Sequence, residues 1–363
     1  MDIHTVRSDG SKLWRKYLKI MDLNRIQSKN VFSTKEIKGL QCTICVYVDD
    51  LMMTCINDEV LDEVEAMIAK NFEGTKASKG DKHSYLGMLF DFGVKGEVKI
   101  TMEHYIRELL EKYEVKGTVS TPAKPNLFEI VDSPLLDPER KAIFNSAVAT
   151  LIYLAKRVRP DILTAVSFLS TRVQNPTEND WKRLQRILQY LNGDPETGIV
   201  LKPGDGDLHI TASADAAYGV HADGKSHSGL CIALGDGPVF VRSAKQKIVS
   251  KSSTEAELIS LTDGCSQIIW SRDFLIAQGY NVGAATVYQD NKSTMDMVAA
   301  GKSTSDRTRH IHVRYFFVKD RVESGEIQIQ HMPTDDMIAD FLTKPLVGAR
   351  FTKLKQKLLN WYY

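Results

Sequence analysis

Apolar positions at Leu258, Leu261, Cys265, Ile268 and Ile269 recur at helical spacing, and Ser252 followed by Glu255 forms a capping box. The pattern predicts a helix over 252–277, with Glu257 beside the apolar face and Glu255 off it. Around it the period changes to that of strands, at 208–214, 228–234, 238–241, 285–289 and 327–331. These elements predict a module of strands and helices over residues 206–363. Upstream, 41–56 reads as a hairpin of two apolar strands with Asp49 and Asp50 between them. Asn57 then caps a helix whose apolar face is Val60, Leu61, Val64, Met67, Ile68 and Phe72. Residues 85–92 and 98–101 suggest a strand pair joined by the 93–96 turn, followed by a helix over 104–113. The passage 1–40 predicts one short helix at 12–21 and then turns, and it reads as the continuation of something longer. Pro122, Pro125, Pro134 and Pro138 mark 117–140 as an extended crossing segment. Three helices follow, at 142–156, 161–173 and 178–191, broken at Pro160 and Pro176. The fold class is therefore α/β, divided into 1–116, 117–205 and 206–363.

The candidate chemistry lies in the acidic residues that this pattern places. Asp215 ends the first strand of the C-terminal module, Glu257 projects from its long helix, Asp290 ends the 285–289 strand, and Asp340 lies in a helix-like segment after the last strand. A carboxylate near a core is costly unless it is paired or holds a metal. Four that converge can hold two magnesium ions about 4 Å apart, which clamp the attacking and leaving oxygens of a phosphodiester.

Composition adds limits. The 363 residues are enough for two or three domains, and 43% hydrophobic content supplies ordinary cores. A net charge of +1 leaves nucleic-acid contact to local clusters. The densest is Arg307, Arg309, His310, His312 and Arg314, with Tyr315 interleaved; Lys245 and Lys247 are a second candidate. Lys156, Arg157, Arg159 and Arg172 are either backbone contacts or solvated helix positions. The five cysteines, an odd number in apolar surroundings, indicate buried reduced thiols, and Cys42 and Cys45 point to opposite faces of a strand rather than to zinc. No signal peptide or run of about 18 apolar residues occurs, so an intracellular chain with no membrane span is expected.

The segments Asp215-Ala-Ala-Tyr218, Lys225-Ser-His-Ser-Gly229, Ser243-Ala-Lys-Gln-Lys247, Ser252-Ser-Thr-Glu-Ala-Glu-Leu258, Gln289-Asp-Asn291, Arg309-His-Ile311 and Ala339-Asp-Phe-Leu-Thr-Lys-Pro-Leu346 resemble the ribonuclease H domain of copia-type retrotransposon polyproteins. Val46-Tyr-Val-Asp-Asp-Leu51, Tyr85-Leu-Gly-Met88 and Arg159-Pro-Asp-Ile162 resemble the reverse transcriptase of the same elements. The resemblance implies a polymerase palm with the start of a thumb over 1–116, a linker and helical thumb or connection over 117–205, and a ribonuclease H-like domain, a central mixed sheet flanked by helices, over 206–363. It implies magnesium-dependent hydrolysis of RNA in RNA–DNA hybrids, with two ions (manganese serving as an alternative) on Asp215, Glu257, Asp290 and Asp340, and with His331 assisting product release or proton transfer. It further implies a polymerase metal site at Asp49 and Asp50 that lacks its upstream third aspartate. The implied partners are the hybrid, template RNA, a DNA primer and the N-terminal polymerase part. The reading of a different class is a silent remnant that binds hybrid or a partner polymerase.

Overall fold

The computed structural model describes residues 24–25, 32–47, 50–72, 74–204, 208–300 and 309–362. They form two compact units, 1–95 with 273–281 and 96–272 with 282–363. The helix expected over 12–21, Asp49 and Arg307 lie outside the described residues.

In the first unit, strands β1 (Phe32–Ile37), β2 (Leu40–Tyr47) and β3 (Asp50–Thr54) pair antiparallel. The turn between β1 and β2 holds Lys38 and Gly39 at φ of 53° and 77°, the twist that suits a two-residue hairpin. Strand β1 falls where turns were expected. Cys42, Ile44 and Val46 alternate inward on β2 and join Val60, Val64, Ile68 and Phe72 from helix α1 (Asp58–Asn71) in one buried cluster. Asn57 accepts the Glu59 amide at 2.8 Å, as the cap predicts. Met67, assigned to the apolar face, is 43% exposed. Cys42 is buried while Cys45 lies 3.2 Å from the Tyr85 hydroxyl, so the two thiols do leave opposite faces. The single strand expected over 85–92 is instead a hairpin, β4 (Lys82–Tyr85) and β5 (Met88–Asp91), turning at Leu86 and Gly87.

In the second unit, β6 (Val98–Thr101) leads into α2 (Glu103–Lys112). Helices α3 (Pro138–Ala155), α4 (Leu163–Ser170) and α5 (Glu178–Asn192) follow, and β7 (Ile199–Leu201) returns to pair with β6. Helix α3 begins four residues earlier than expected because Pro138 sits in its first turn, where a missing N–H costs nothing, and Asp137 caps it. Arg159 does not face solvent or a nucleic-acid backbone. It is fully buried, donates to both Asp161 oxygens at 3.0 and 2.8 Å, and reaches the Asp194 carbonyl at 2.7 Å. Arg172 is likewise turned to Asp180, at 3.2 Å.

The main sheet runs in the order β10 (Pro238–Lys245), β9 (His227–Leu234), β8 (Ile210–Ala217), β11 (Ala285–Gln289), β12 (Ile327–His331). The first three pair antiparallel, and β11 is parallel to both β8 and β12. Helices α6 (Ser253–Ala277), α7 (Lys292–Ala300) and α8 (Arg309–Glu323) accompany it, and α9 (Gly348–Leu359) follows the last strand. The α/β class is as the sequence predicts, and the mixed sheet is as the resemblance implies. Leu258, Leu261, Cys265 and Ile268 of α6 are buried, and the Ser260 hydroxyl donates to the Asp215 carbonyl at 2.8 Å, which sets this helix against β8. Among the described residues no helix is long and apolar enough to cross a membrane.

A buried chain of rings lies beside β9. His221 Nε2 meets His227 Nδ1 at 3.0 Å, His227 Nε2 meets the Ser243 hydroxyl at 2.7 Å, and Phe128 packs on both imidazoles. Burial, then the neighbouring His221, pushes His227 down to about 3. An unfolded histidine protonates near 6.5, so the contribution of neutral His227 is whole above that pH and is lost as pH falls toward the folded value. Equilibrium unfolding is expected to show stability lower by about 2 kcal/mol at pH 5 than at pH 7 from this group, with the slope reduced in His227→Gln.

Candidate metal and nucleic-acid site

Each acidic residue reaches the site by a different local device. Asp215 lies on β8 directly opposite Gly229 of β9, two residues before the strand ends. Gly229 is required there: a Cβ would stand 2.7 Å from the Thr343 methyl and 2.9 Å from the Ala339 carbonyl. Its absence lets the turn carrying Asp340 settle on the sheet next to Asp215. That turn, Ile338–Leu342, is a 3-10 helix where the sequence suggested only a helix-like segment. Asp290 follows the last residue of β11, and Gln289 fixes the bend by accepting the amides of Asp290 and Asn291 at 2.9 and 3.2 Å.

Ligand oxygens of Asp215, Asp290 and Asp340 lie within 4.8 Å of one another. Glu257 is outside that set of three; its Oε2 accepts from Gln289 Nε2 at 3.4 Å, and its carboxyl interacts with Asp215 and Asp290. Burial, then the Asp215 charge, raises the Glu257 carboxyl to about 10, and the same two causes raise Asp340 to about 6 against the pull of Lys344. The α6 start departs slightly from the expected box. Ser252 caps the Glu255 amide at 3.1 Å, but Glu255 reaches back to the amide of Lys251, at 2.7 Å, and is as buried as Glu257.

Residues given no role by the sequence hold the cluster in place. Thr343 donates its hydroxyl to Asp215, Lys344 and Arg350 each hold one oxygen of Asp340, and Lys344 Nζ stands 3.5 Å from Asp215. Thr334 donates to Asp290 at 2.9 Å, and Arg350 binds the Thr334 carbonyl at 3.1 Å. The spacing from Asp340 to Thr343 and Lys344 was the available signal, since both fall one turn further on. His331 is exposed at the end of β12, in register with Gln289 and therefore one residue away from the Asp290 position.

Burial raises the Glu257 and Asp340 carboxyls first, and the neighbouring Asp215 charge adds to it, so the cluster disfavours full ionisation until a cation is present. Hard divalent cations bind all-oxygen sites of this kind, so the donor set fits magnesium or manganese.

A groove of about 690 Å³ lies on the same unit, lined by Arg242, Lys245, Lys247 and Arg314 together with Ile248 and Phe317. Two of its cations are held by acids, Lys245 by Asp223 at 2.8 Å and Arg314 by Asp263 at 2.9 Å, while Lys247 is exposed. The structure thus brings Arg314 of one basic segment to the same groove as Lys245 and Lys247 of the other. Arg309, His310 and His312 fall within α8, but their side chains are outside the described set. Asp50 opens β3 in the other unit, opposite Tyr47.

No family model matches this chain. The chain is 32% identical over 342 residues to the retrovirus-related Pol polyprotein from transposon RE2 of Arabidopsis thaliana, covering 93% of this chain and 23% of that protein. It is 29% identical over 322 residues to the corresponding polyprotein from transposon TNT 1-94 of Nicotiana tabacum, covering 86% of this chain and 24% of that protein. The chain therefore spans about a quarter of the length of the curated relatives it matches. Among solved structures, LC11-RNase H1 isolated from compost is similar at 15% identity and a TM-score of 0.29, over 37% of this chain and 92% of that one.

Proposed function

Since the chain is related over nearly its whole length to a segment of the Pol polyproteins of copia-type retrotransposons, we propose that it hydrolyses the RNA strand of RNA–DNA hybrids. The observation that carries this reading is the meeting of Asp215, Asp290 and Asp340 within 4.8 Å, with Glu257 beside Asp215 and Asp290.

Asp215, Glu257, Asp290 and Asp340 would hold two magnesium ions, manganese being the alternative. Bound there, the ions supply an activated water and stabilise the departing 3′ oxygen. The carboxylates act as ligands and not as nucleophiles. Thr343 fixes the Asp215 carboxylate and Thr334 fixes Asp290, so both aim at one point. His331, exposed beside the Asp290 strand end, takes or returns a proton as product leaves. Arg314, Lys245 and Lys247 in the groove, with Arg307, Arg309, His310 and His312, contact phosphates of the hybrid, which gives affinity without base readout. In this reading 206–363 is the nuclease, 117–205 the connection, and 1–116 the polymerase palm. Asp49 and Asp50 serve nucleotide addition only when a third carboxylate and a held template and primer join them. The chain works inside the cell, in cytoplasm or nucleus.

The test is cleavage of a hybrid labelled on its RNA strand, with primer extension run in parallel. Magnesium-dependent cleavage that Asp290→Asn loses, without extension, is the expected result. A folded chain that binds hybrid and does not cut it would replace this reading with a silent binding remnant.

A further inference from the structure

Both oxygens of the Asp340 carboxylate are already engaged by cations, Lys344 on Oδ1 and Arg350 on Oδ2. The two cations are not equivalent. Arg350 is tied a second time, to the Thr334 carbonyl at 3.1 Å, and Thr334 in turn holds Asp290. Its planar donors make it part of the frame. Lys344 is different. Its ammonium lies between two carboxylates, bonded to Asp340 and 3.5 Å from Asp215, on a flexible side chain that is 37% exposed. The backbone of Lys344 is fixed separately, its amide donating to the Asp340 carbonyl at 2.9 Å, so the side chain can leave without unwinding the turn.

We propose that Lys344 is the resident counter-cation of the Asp215–Asp340 edge, and that a divalent ion loads there by displacing its ammonium into solvent. This rests on the metal reading above. A single charge in a buried acidic edge offsets repulsion while the edge waits, and a doubly charged ion that replaces it gains more from both carboxylates. Lys344 therefore sets the divalent-ion concentration at which this edge fills, and Arg350 keeps Asp340 aimed while the exchange takes place.

The experiment is titration of the full chain with magnesium by calorimetry and with manganese by electron paramagnetic resonance, in the absence of nucleic acid. Wild type, Lys344→Met, Lys344→Gln and Lys353→Met are compared. Loss of the competing charge in either Lys344 variant is expected to tighten the weaker divalent site at least roughly tenfold, about 1.4 kcal/mol. Lys353→Met, which removes a cation paired with Asp336 instead, is expected to leave that affinity unchanged. The two Lys344 variants guard against misfolding in one of them. Unchanged or weaker binding in a folded Lys344 variant, while wild type binds normally, overturns the inference alone. No divalent binding by wild type removes the metal reading and this inference with it.

Discussion

Asp215→Asn is expected to reduce hydrolysis of the RNA strand by at least about 10³-fold while making the metal-free chain more stable. The two effects have one origin. After burial, the Asp215 charge is the next cause that pushes up both Glu257 and Asp340, so it stands at the centre of the repulsion as well as of the ligand set. The amide removes one ligand charge from a buried position and leaves Thr343 a hydrogen-bond acceptor at the same place. Relief of even one pKa unit of mutual interaction is worth about 1.4 kcal/mol, and a gain of about 1–2 kcal/mol is expected. Thermal unfolding in the presence of a chelator reads the stability, and cleavage of labelled hybrid in magnesium reads the activity. A fall in both would mean that Asp215 is a structural acid held by Lys344 and Thr343.

Arg159→Leu is expected to cost about 3–5 kcal/mol, the largest single loss of stability foreseen for this fold. Among the described residues the substitution leaves the buried Asp161 carboxylate with the Tyr190 hydroxyl, at 2.6 Å, and the more distant charge of Lys355. The Asp194 carbonyl also loses its donor. Removing both partners together, in Arg159→Leu with Asp161→Leu, is expected to recover a substantial part of that loss, because the uncompensated charge goes with the arginine. Urea-induced unfolding of the three variants measures the difference. A double variant no better than Arg159→Leu would show that the Arg159 contacts to the main chain, and not the ion pair, carry the stability.

How much of this could be read from the sequence depended on whether the cause was local. The helix at 253–277 and the cap at Asn57 are products of spacing within one turn, and both stand as read. The positions of Asp215, Glu257 and Asp290 followed from strand and helix periods because each lies at or near the end of its own element. Strand β1 was missed although Lys38-Gly39 between two extended runs is a hairpin signal. The hairpin at Leu86-Gly87 was hidden in the same way inside an apparently continuous strand. Arg159 differs for another reason: nothing in Arg159-Pro-Asp distinguishes a solvated arginine from a fully buried one paired with Asp161 and the Asp194 carbonyl. The hold of Thr343 on Asp215 and of Arg350 on the Thr334 carbonyl was likewise hidden, since each partner comes from outside the local turn, whereas Lys344 lies one turn from Asp340 and its spacing was there to be read. Gly229 shows the limit most clearly. Its need for an absent side chain comes wholly from a turn far downstream that settles upon it.

That long reach bears on the lifetime of the fold. Thr343 meets Asp215 across 128 residues of sequence, and the four acids come from a strand, a helix, a strand end and a late 3-10 turn. Contacts of such high sequence separation are expected to form late, because the closure entropy of the intervening chain must be met before they contribute. A cation that binds only the completed cluster therefore has nothing to grip on the way to the barrier. It would slow departure from the native basin without hastening arrival, so the protection expected from a divalent ion there is kinetic persistence of a finished molecule.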